Sequence, residues 1–300
     1  MKVWASFFLM FLCSAVTAQY MPRFDIQGHR GARGILPENS VPAFLRALDL
    51  GVTTVELDVV ISKDKEVVVS HEPWMSAEIC LDQDGKPFKN NPAKFNIYQL
   101  TYEEIAGFDC GSKGNADYPQ QEKFKVAKPR LSDVIIAIEN HIRNYSLYEV
   151  DYNIEIKSTP AGDGKFHPSV KDFSDLVYQL VDQYLPLERV VIQSFDFRVL
   201  RYWHKTYPEV RLAALVDNDE SVDQNIASLG FKPAIYSPYY KLLNRETVTY
   251  LHKLKIRVIP WTVNEESEML VFKGMGVDGF ITDYPDRARK YKMTLNIQRK

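Results

Sequence analysis

Residues 169–216 read SVKDFSDLVYQLVDQYLPLERVVIQSFDFRVLRYWHKTYPEVRLAALV, and the alternation within this run decides the fold. Ser169 opens a helix over 169–184. A β-branched strand at 190–193 follows, then a helix over 197–206 and a strand over 211–216. Strands that alternate with helices of about ten to fifteen residues build βαβ units around a parallel sheet.

The same rhythm extends in both directions. Upstream, a helix at 131–143 precedes a strand at 153–156. Downstream, helices at 221–229, 245–254 and 265–273 precede strands at 234–236, 257–261 and 279–281, and Pro285 begins a last helix. Near the start, a strand at 24–28 leads to a helix over 41–50. Ser40 is its N-cap, Pro42 sits in its first turn and Gly51 stops it. A β-branched strand at 54–61 follows. The polar turn at 62–65 is too short for a crossover, so 66–70 returns antiparallel as a hairpin. With that return strand set aside, eight strands remain, ending near His29, Val60, Ile156, Gln193, Val216, Tyr236, Trp261 and Ile281. Eight parallel strands in 300 residues point to a (β/α)8 TIM barrel. An open doubly wound sheet is the alternative, but no Gly-x-Gly-x-x-Gly turn supports it.

One region breaks the rhythm. Residues 73–128 are polar, with a single helical piece near 101–106, where Thr101 and Glu104 have capping-box spacing. They read as a small insertion in a barrel domain spanning 19–300. The first eighteen residues read as a cleaved export signal: Lys2, an apolar run at 3–13, then Val16-Thr17-Ala18 before Gln19. An uncleaved anchor is the alternative, and Leu12 before Cys13 suits a lipoprotein site poorly. The run is too short to span a bilayer comfortably, and no later stretch spans one. The protein is therefore expected to be exported, periplasmic or secreted, with no stable membrane insertion after cleavage. Cleavage leaves Cys80 and Cys110, and an oxidising compartment favours a disulfide between them over two buried thiols. The net charge of −2 and the lack of a basic run argue against a nucleic-acid partner.

Active sites of such barrels form at the carboxyl ends of the strands, and the polar residues gather there. His29 and Arg30 end strand one. Glu56 and Asp58, at i and i+2, share one face of strand two, about 7 Å apart. His71 ends the hairpin. Glu155 and Lys157 repeat the i, i+2 pattern on strand three, and Trp261 ends strand seven. A solvent-facing Glu-x-Asp pair would need no explanation, but a strand covered on its outer face turns these carboxylates into the barrel, where an unpaired charge is costly. Three carboxylates on one rim demand protonation or a cation. Oxygen ligands suit a hard divalent ion, Ca2+ or Mg2+, better than zinc. Two histidines to move protons and two cations, Arg30 and Lys157, fit an anionic phosphoester substrate. His141, His167, His204 and His252 lie in helices or a polar loop and carry no assigned chemistry. Trp261 is either core or lining for the substrate's alcohol moiety.

The succession Gly28-His29-Arg30-Gly31, Pro37-Glu38-Asn39-Ser40, Glu56-Leu57-Asp58-Val59, Val69-Ser70-His71, Ile154-Glu155-Ile156-Lys157, Gln193-Ser194-Phe195, Trp261-Thr262-Val263-Asn264 and Asp278-Gly279-Phe280-Ile281-Thr282-Asp283 resembles the glycerophosphodiester phosphodiesterase family. The resemblance implies a TIM barrel that hydrolyses glycerophosphodiesters to glycerol 3-phosphate and an alcohol. It implies catalysis by His29 and His71, a metal on Glu56, Asp58 and Glu155, and phosphate binding by Arg30, with Lys157 beside the third carboxylate. Glu72 departs from the Asp usual after the second histidine. Two rival activities remain open: a phospholipase-type phosphodiesterase acting on intact lipid, and a non-catalytic phosphoester-binding barrel.

Overall fold

The computed structural model describes residues 22–145 and 147–294. The expected export signal at 1–18 lies outside them. β1 (Asp25–Gly28) leads to α1 (Val41–Leu50), which buries Ala43, Phe44, Ala47 and Leu48. The Ser40 hydroxyl accepts from the Ala43 N–H at 3.3 Å, and Gly51 closes the helix at φ 89°, a left-handed conformation that suits glycine. β2 (Thr54–Ile61) and β3 (Val67–Val69) form the antiparallel hairpin, with Val59 opposite Val69.

The insertion carries α2 (Tyr102–Ala106), whose Thr101–Glu104 capping box is formed. It folds around its own apolar cluster of Met75, Ile79, Cys80, Ile97, Ile105, Phe108 and Cys110, seated on Val60 and Val68 of the hairpin. Cys80 and Cys110 are joined in a disulfide.

The regular part then runs α3 (Leu131–Asn144), β4 (Asp151–Ile156), α4 (Val170–Tyr184), β5 (Val190–Ser194), α5 (Phe197–Thr206) and β6 (Arg211–Val216). It continues with α6 (Val222–Leu229), β7 (Ile235–Pro238), α7 (Arg245–Lys253), β8 (Arg257–Val258), α8 (Glu266–Met275), β9 (Gly279–Thr282) and α9 (Pro285–Ala288). Parallel ladders link β9, β1, β2, β4, β5, β6, β7 and β8 in that order, with β3 off the path. The strand expected over 257–261 is regular only at Arg257–Val258. Pro260 has no N–H to offer a ladder. The segment still tracks β7, since Ile259 and Trp261 donate to the Tyr236 and Pro238 carbonyls, each at 3.1 Å. It also closes the barrel against β9: the Asp278 and Ile281 amides donate to the Val258 and Pro260 carbonyls, each at 2.9 Å.

Inside the barrel, Val191, Ala213, Ile235, Ile259 and Ile281 pack as one apolar cluster. Because side chains alternate along a strand, Gln193 shares the inward face with Val191, while Val190 and Ile192 pack into the main core with the helices. The carboxyl ends of all eight parallel strands open on one rim.

Candidate active site

Two elements supply three carboxylates. Asp58 on β2 lies opposite Glu155 on β4 in the parallel register. Each of Glu56, Asp58 and Glu155 is buried and offers an oxygen within 4.8 Å of the others'. Their surroundings hold them in unequal states. Burial, with Asp58 next to it, pushes the Glu56 carboxyl well above its usual range. Burial also raises Glu155, against the pull of Lys157. Burial works against charge at Asp58 too, but His71, Arg30 and Lys157 outweigh it and hold that carboxyl well below its usual range.

Fixed donors orient the cluster. Glu56 accepts from the Arg30 N–H at 2.9 Å and from Gln193 Nε2 at 2.7 Å. Asn39 Nδ2 donates to Asp58 Oδ2 at 2.8 Å, from a backbone position with φ 52°. Lys157 Nζ donates to Glu155 Oε1 at 2.7 Å. Asp58 Oδ1 is buried without a hydrogen-bond partner. An orphaned anionic oxygen, an all-oxygen donor set and three crowded carboxylates fit a hard divalent cation.

Two histidines adjoin the cluster through their chain neighbours Arg30 and Ser70, each with its own carboxylate. His29 Nδ1 is 2.6 Å from Asp283 Oδ1. His71 Nδ1 is 2.6 Å from Glu72 Oε1. Burial disfavours charge on Asp283, but His29, Arg33 and Asn264 hold it well below the carboxylate range. At Glu72, His71 and Lys128 outweigh burial and bring the value down to about 2. Both acids are therefore ionised acceptors, so Nδ1 is the donor in each pair and Nε2 of each ring is left for other partners. Burial lowers His29 below its ordinary value despite Asp283, and Arg30 and Arg33 lower it further. His71 reaches the cluster through the hairpin: the Ser70 amide donates to the Asp58 carbonyl at 3.0 Å.

Arg30 Nη1 donates to Glu38 Oε1 at 2.8 Å, and its Nε lies 3.3 Å from Asp58 Oδ2. Burial opposes its charge, yet Glu38, Asp58 and Glu72 keep it firmly protonated. Lys157 is held charged in the same way by Glu155 and Asp58. Trp261 donates from Nε1 to the Ser237 carbonyl at 2.9 Å. Its ring packs on Phe195 at 5.4 Å, and Lys157 Nζ lies 6.0 Å from the Phe195 ring. Trp261 thus packs against Phe195 and makes no hydrogen bond to the three carboxylates.

Several participants carry no role on sequence grounds. Asp283 stands directly after β9, and its place at a strand's carboxyl end is the signal that marks it. Gln193 ends β5 in the same way. Tyr118, in the insertion, donates to Asp283 Oδ2 at 2.8 Å, and no local pattern announces it. His167 lies in the loop between β4 and α4, on the carboxyl side. Its ring is nonetheless spent on the loop itself, with Nδ1 2.9 Å from the Pro168 carbonyl and Nε2 3.1 Å from both the Thr159 amide nitrogen and carbonyl.

Comparison with known proteins places the chain among relatives of one family. A glycerophosphodiester phosphodiesterase of Bacillus altitudinis is 28% identical over 272 residues, covering 89% of this chain and 97% of its own. A solved structure from Silicibacter pomeroyi DSS-3, a candidate glycerophosphoryl diester phosphodiesterase, superposes with TM-score 0.80 at 28% identity, covering 91% of this chain and 94% of that one. An Oleispira antarctica phosphodiesterase, solved in complex with the product sn-glycerol-3-phosphate, shares the fold with TM-score 0.71 at 21% identity, covering 90% of this chain and 97% of that one. The model of the glycerophosphoryl diester phosphodiesterase family matches residues 29–287, from the first histidine to beyond the last motif, and the chain belongs to that family.

Proposed function

We propose that this barrel hydrolyses small glycerophosphodiesters to glycerol 3-phosphate and an alcohol, with His29 and His71 as its acid–base pair. The observation that carries the proposal is the arrangement itself. Two histidines, each fixed at Nδ1 by an ionised carboxylate, sit on segments whose adjacent residues bond to one buried three-carboxylate cluster. Glu56, Asp58 and Glu155 would hold a calcium or magnesium ion. When bound, that ion supplies positive charge against the phosphoryl oxygens. One histidine takes at Nε2 the proton of the attacking oxygen as it bonds to phosphorus; that oxygen belongs to water or to the neighbouring glycerol hydroxyl, the latter giving a cyclic phosphate that water then opens. The other gives its Nε2 proton to the departing alkoxide as the P–O bond breaks, since an alcohol leaves poorly as its anion. Arg30 and Lys157 hold the phosphate's charge as it grows, and Trp261 with Phe195 walls the side toward the alcohol moiety. The glycerol 3-phosphate in the Oleispira antarctica neighbour supports the choice of product.

We infer further that the protein works outside the cytoplasm, in the periplasm or the medium. The Cys80–Cys110 disulfide supports this, because such bonds persist in oxidising compartments. Among the described residues, no helix is long and apolar enough to cross a membrane.

The test is release of glycerol 3-phosphate from glycerophosphocholine and glycerophosphoethanolamine, with and without a chelator. Hydrolysis that stops on chelation and returns with calcium or magnesium is the expected result. No hydrolysis of any diester with metal present would overturn the activity. Hydrolysis that survives complete chelation would overturn the metal assignment.

A further inference from the structure

We propose that Tyr118, contributed by the insertion, is a positioning residue for His29 that acts through Asp283; the proposal rests on the catalytic role of His29 given above. Three segments distant in sequence converge on this one carboxylate. The turn after β1 brings His29 Nδ1 to 2.6 Å from Oδ1. The segment before α8 brings Asn264, whose Nδ2 donates to Oδ2 at 2.7 Å and whose Oδ1 accepts the Asp283 N–H at 2.9 Å. The insertion brings Tyr118, whose hydroxyl donates to Oδ2 at 2.8 Å.

Tyr118 belongs to no helix or strand; local turns, with its N–H donating to the Asn115 carbonyl at 3.1 Å, and tertiary contacts make its seat. The Arg33 guanidinium lies 4.7 Å from the centre of its ring. Gln121 Nε2 donates to the Arg33 carbonyl at 2.7 Å, and the Glu122 N–H donates to the Ile35 carbonyl at 2.9 Å. These bonds stitch the insertion onto the loop that carries His29. Asp283 is buried, so water cannot replace a lost donor freely. With Oδ2 held by two donors, the carboxylate cannot rotate, and Oδ1 stays aimed at His29. That aim fixes the Nδ1–H tautomer and leaves Nε2 facing the reacting phosphodiester. The insertion is therefore wired into the acid–base pair.

Tyr118→Phe removes the hydroxyl and keeps the ring over which Arg33 sits. Loss of one donor to a buried carboxylate is expected to lower kcat about tenfold, with KM within about twofold. A second readout is the downfield proton resonance of His29 Nδ1–H in the metal-free protein, assigned by its absence in His29→Gln. It is expected to shift or broaden in Tyr118→Phe. An unchanged kcat, a change confined to KM, or a fall in kcat with the resonance unmoved would each overturn the proposal. If the wild-type protein hydrolyses no diester, the catalytic reading fails. The resonance then still decides whether Tyr118 positions His29.

Discussion

Asp58 and Glu155 face each other across the β2–β4 ladder, although the whole insertion and α3 lie between them in the chain. The register alone puts the two carboxylates beside each other, where their repulsion would destabilise the fold without a cation. A calcium or magnesium ion at about a hundredfold over its dissociation constant should add about 2.7 kcal/mol of stability. Glu155→Gln is expected to lose most of that gain. Without metal it should stay within about 1 kcal/mol of the wild type, because it relieves repulsion as it weakens the Lys157 pair. Urea unfolding midpoints with the ion and with a chelator make the comparison. Equal metal-induced gains in both proteins would show that the ion binds elsewhere.

His29→Gln and His71→Gln should each lower kcat by about a hundredfold or more, the usual scale of a positioned acid or base. Neither ring is central to the core, so both variants should keep the wild-type circular dichroism and unfold cooperatively. Retained activity in either variant, measured by glycerol 3-phosphate release, would remove that histidine from the mechanism.

Glu72 links pH to stability. Its carboxyl is brought down from 4.5 to about 2: burial opposes the ionised form, but His71 and then Lys128 outweigh it. A lowered folded-state value means the ionised form favours the fold. The contribution is complete above about pH 4.5 and is lost as pH falls toward about 2. In the metal-free protein, Glu72→Gln should be less stable by about 2 kcal/mol at pH 6. The gap should close steadily between pH 5 and pH 2. Denaturant titrations across that range test it, and a gap independent of pH would rule out ionisation as the cause.

The Cys80–Cys110 bond closes a loop with a sequence separation of 30. Chain entropy makes such a crosslink worth about 3–4 kcal/mol. The Cys80→Ser, Cys110→Ser double variant should lose stability on that scale, with proteolysis accelerating first inside 73–128. It should also lose activity, because Tyr118 depends on the insertion for its seat. A nicking pattern that begins in the barrel helices would contradict this.

Much of the fold is legible in the chain because its barrel strands are buried on both faces and its helices are amphipathic. Burial of both strand faces gives the β-branched run at 54–61 and the apolar run at 211–216, whose observed limits match them. Helix ends are legible where a side chain or a glycine closes them, as at Ser40, Gly51, Ser169 and Ser221. The strand at 257–261 is overread, because apolar β-branched residues mask the missing N–H of Pro260. The insertion yields little beyond α2, since its shape depends on a disulfide and on contacts with the hairpin.

By itself, the sequence determined the alternation of strands and helices, the closure implied by eight strands, the placing of His29, His71 and Glu155 at strand ends, and that of Glu56 and Asp58 on one face of strand two. These follow from local periodicity, which one segment records without reference to another. Tertiary structure alone decided who meets whom: Gln193 on Glu56, Asn39 on Asp58, Asp283 on His29 and Tyr118 on Asp283. A hydrogen bond between distant segments leaves no periodic trace, because it depends on ladder register and on the path of a loop.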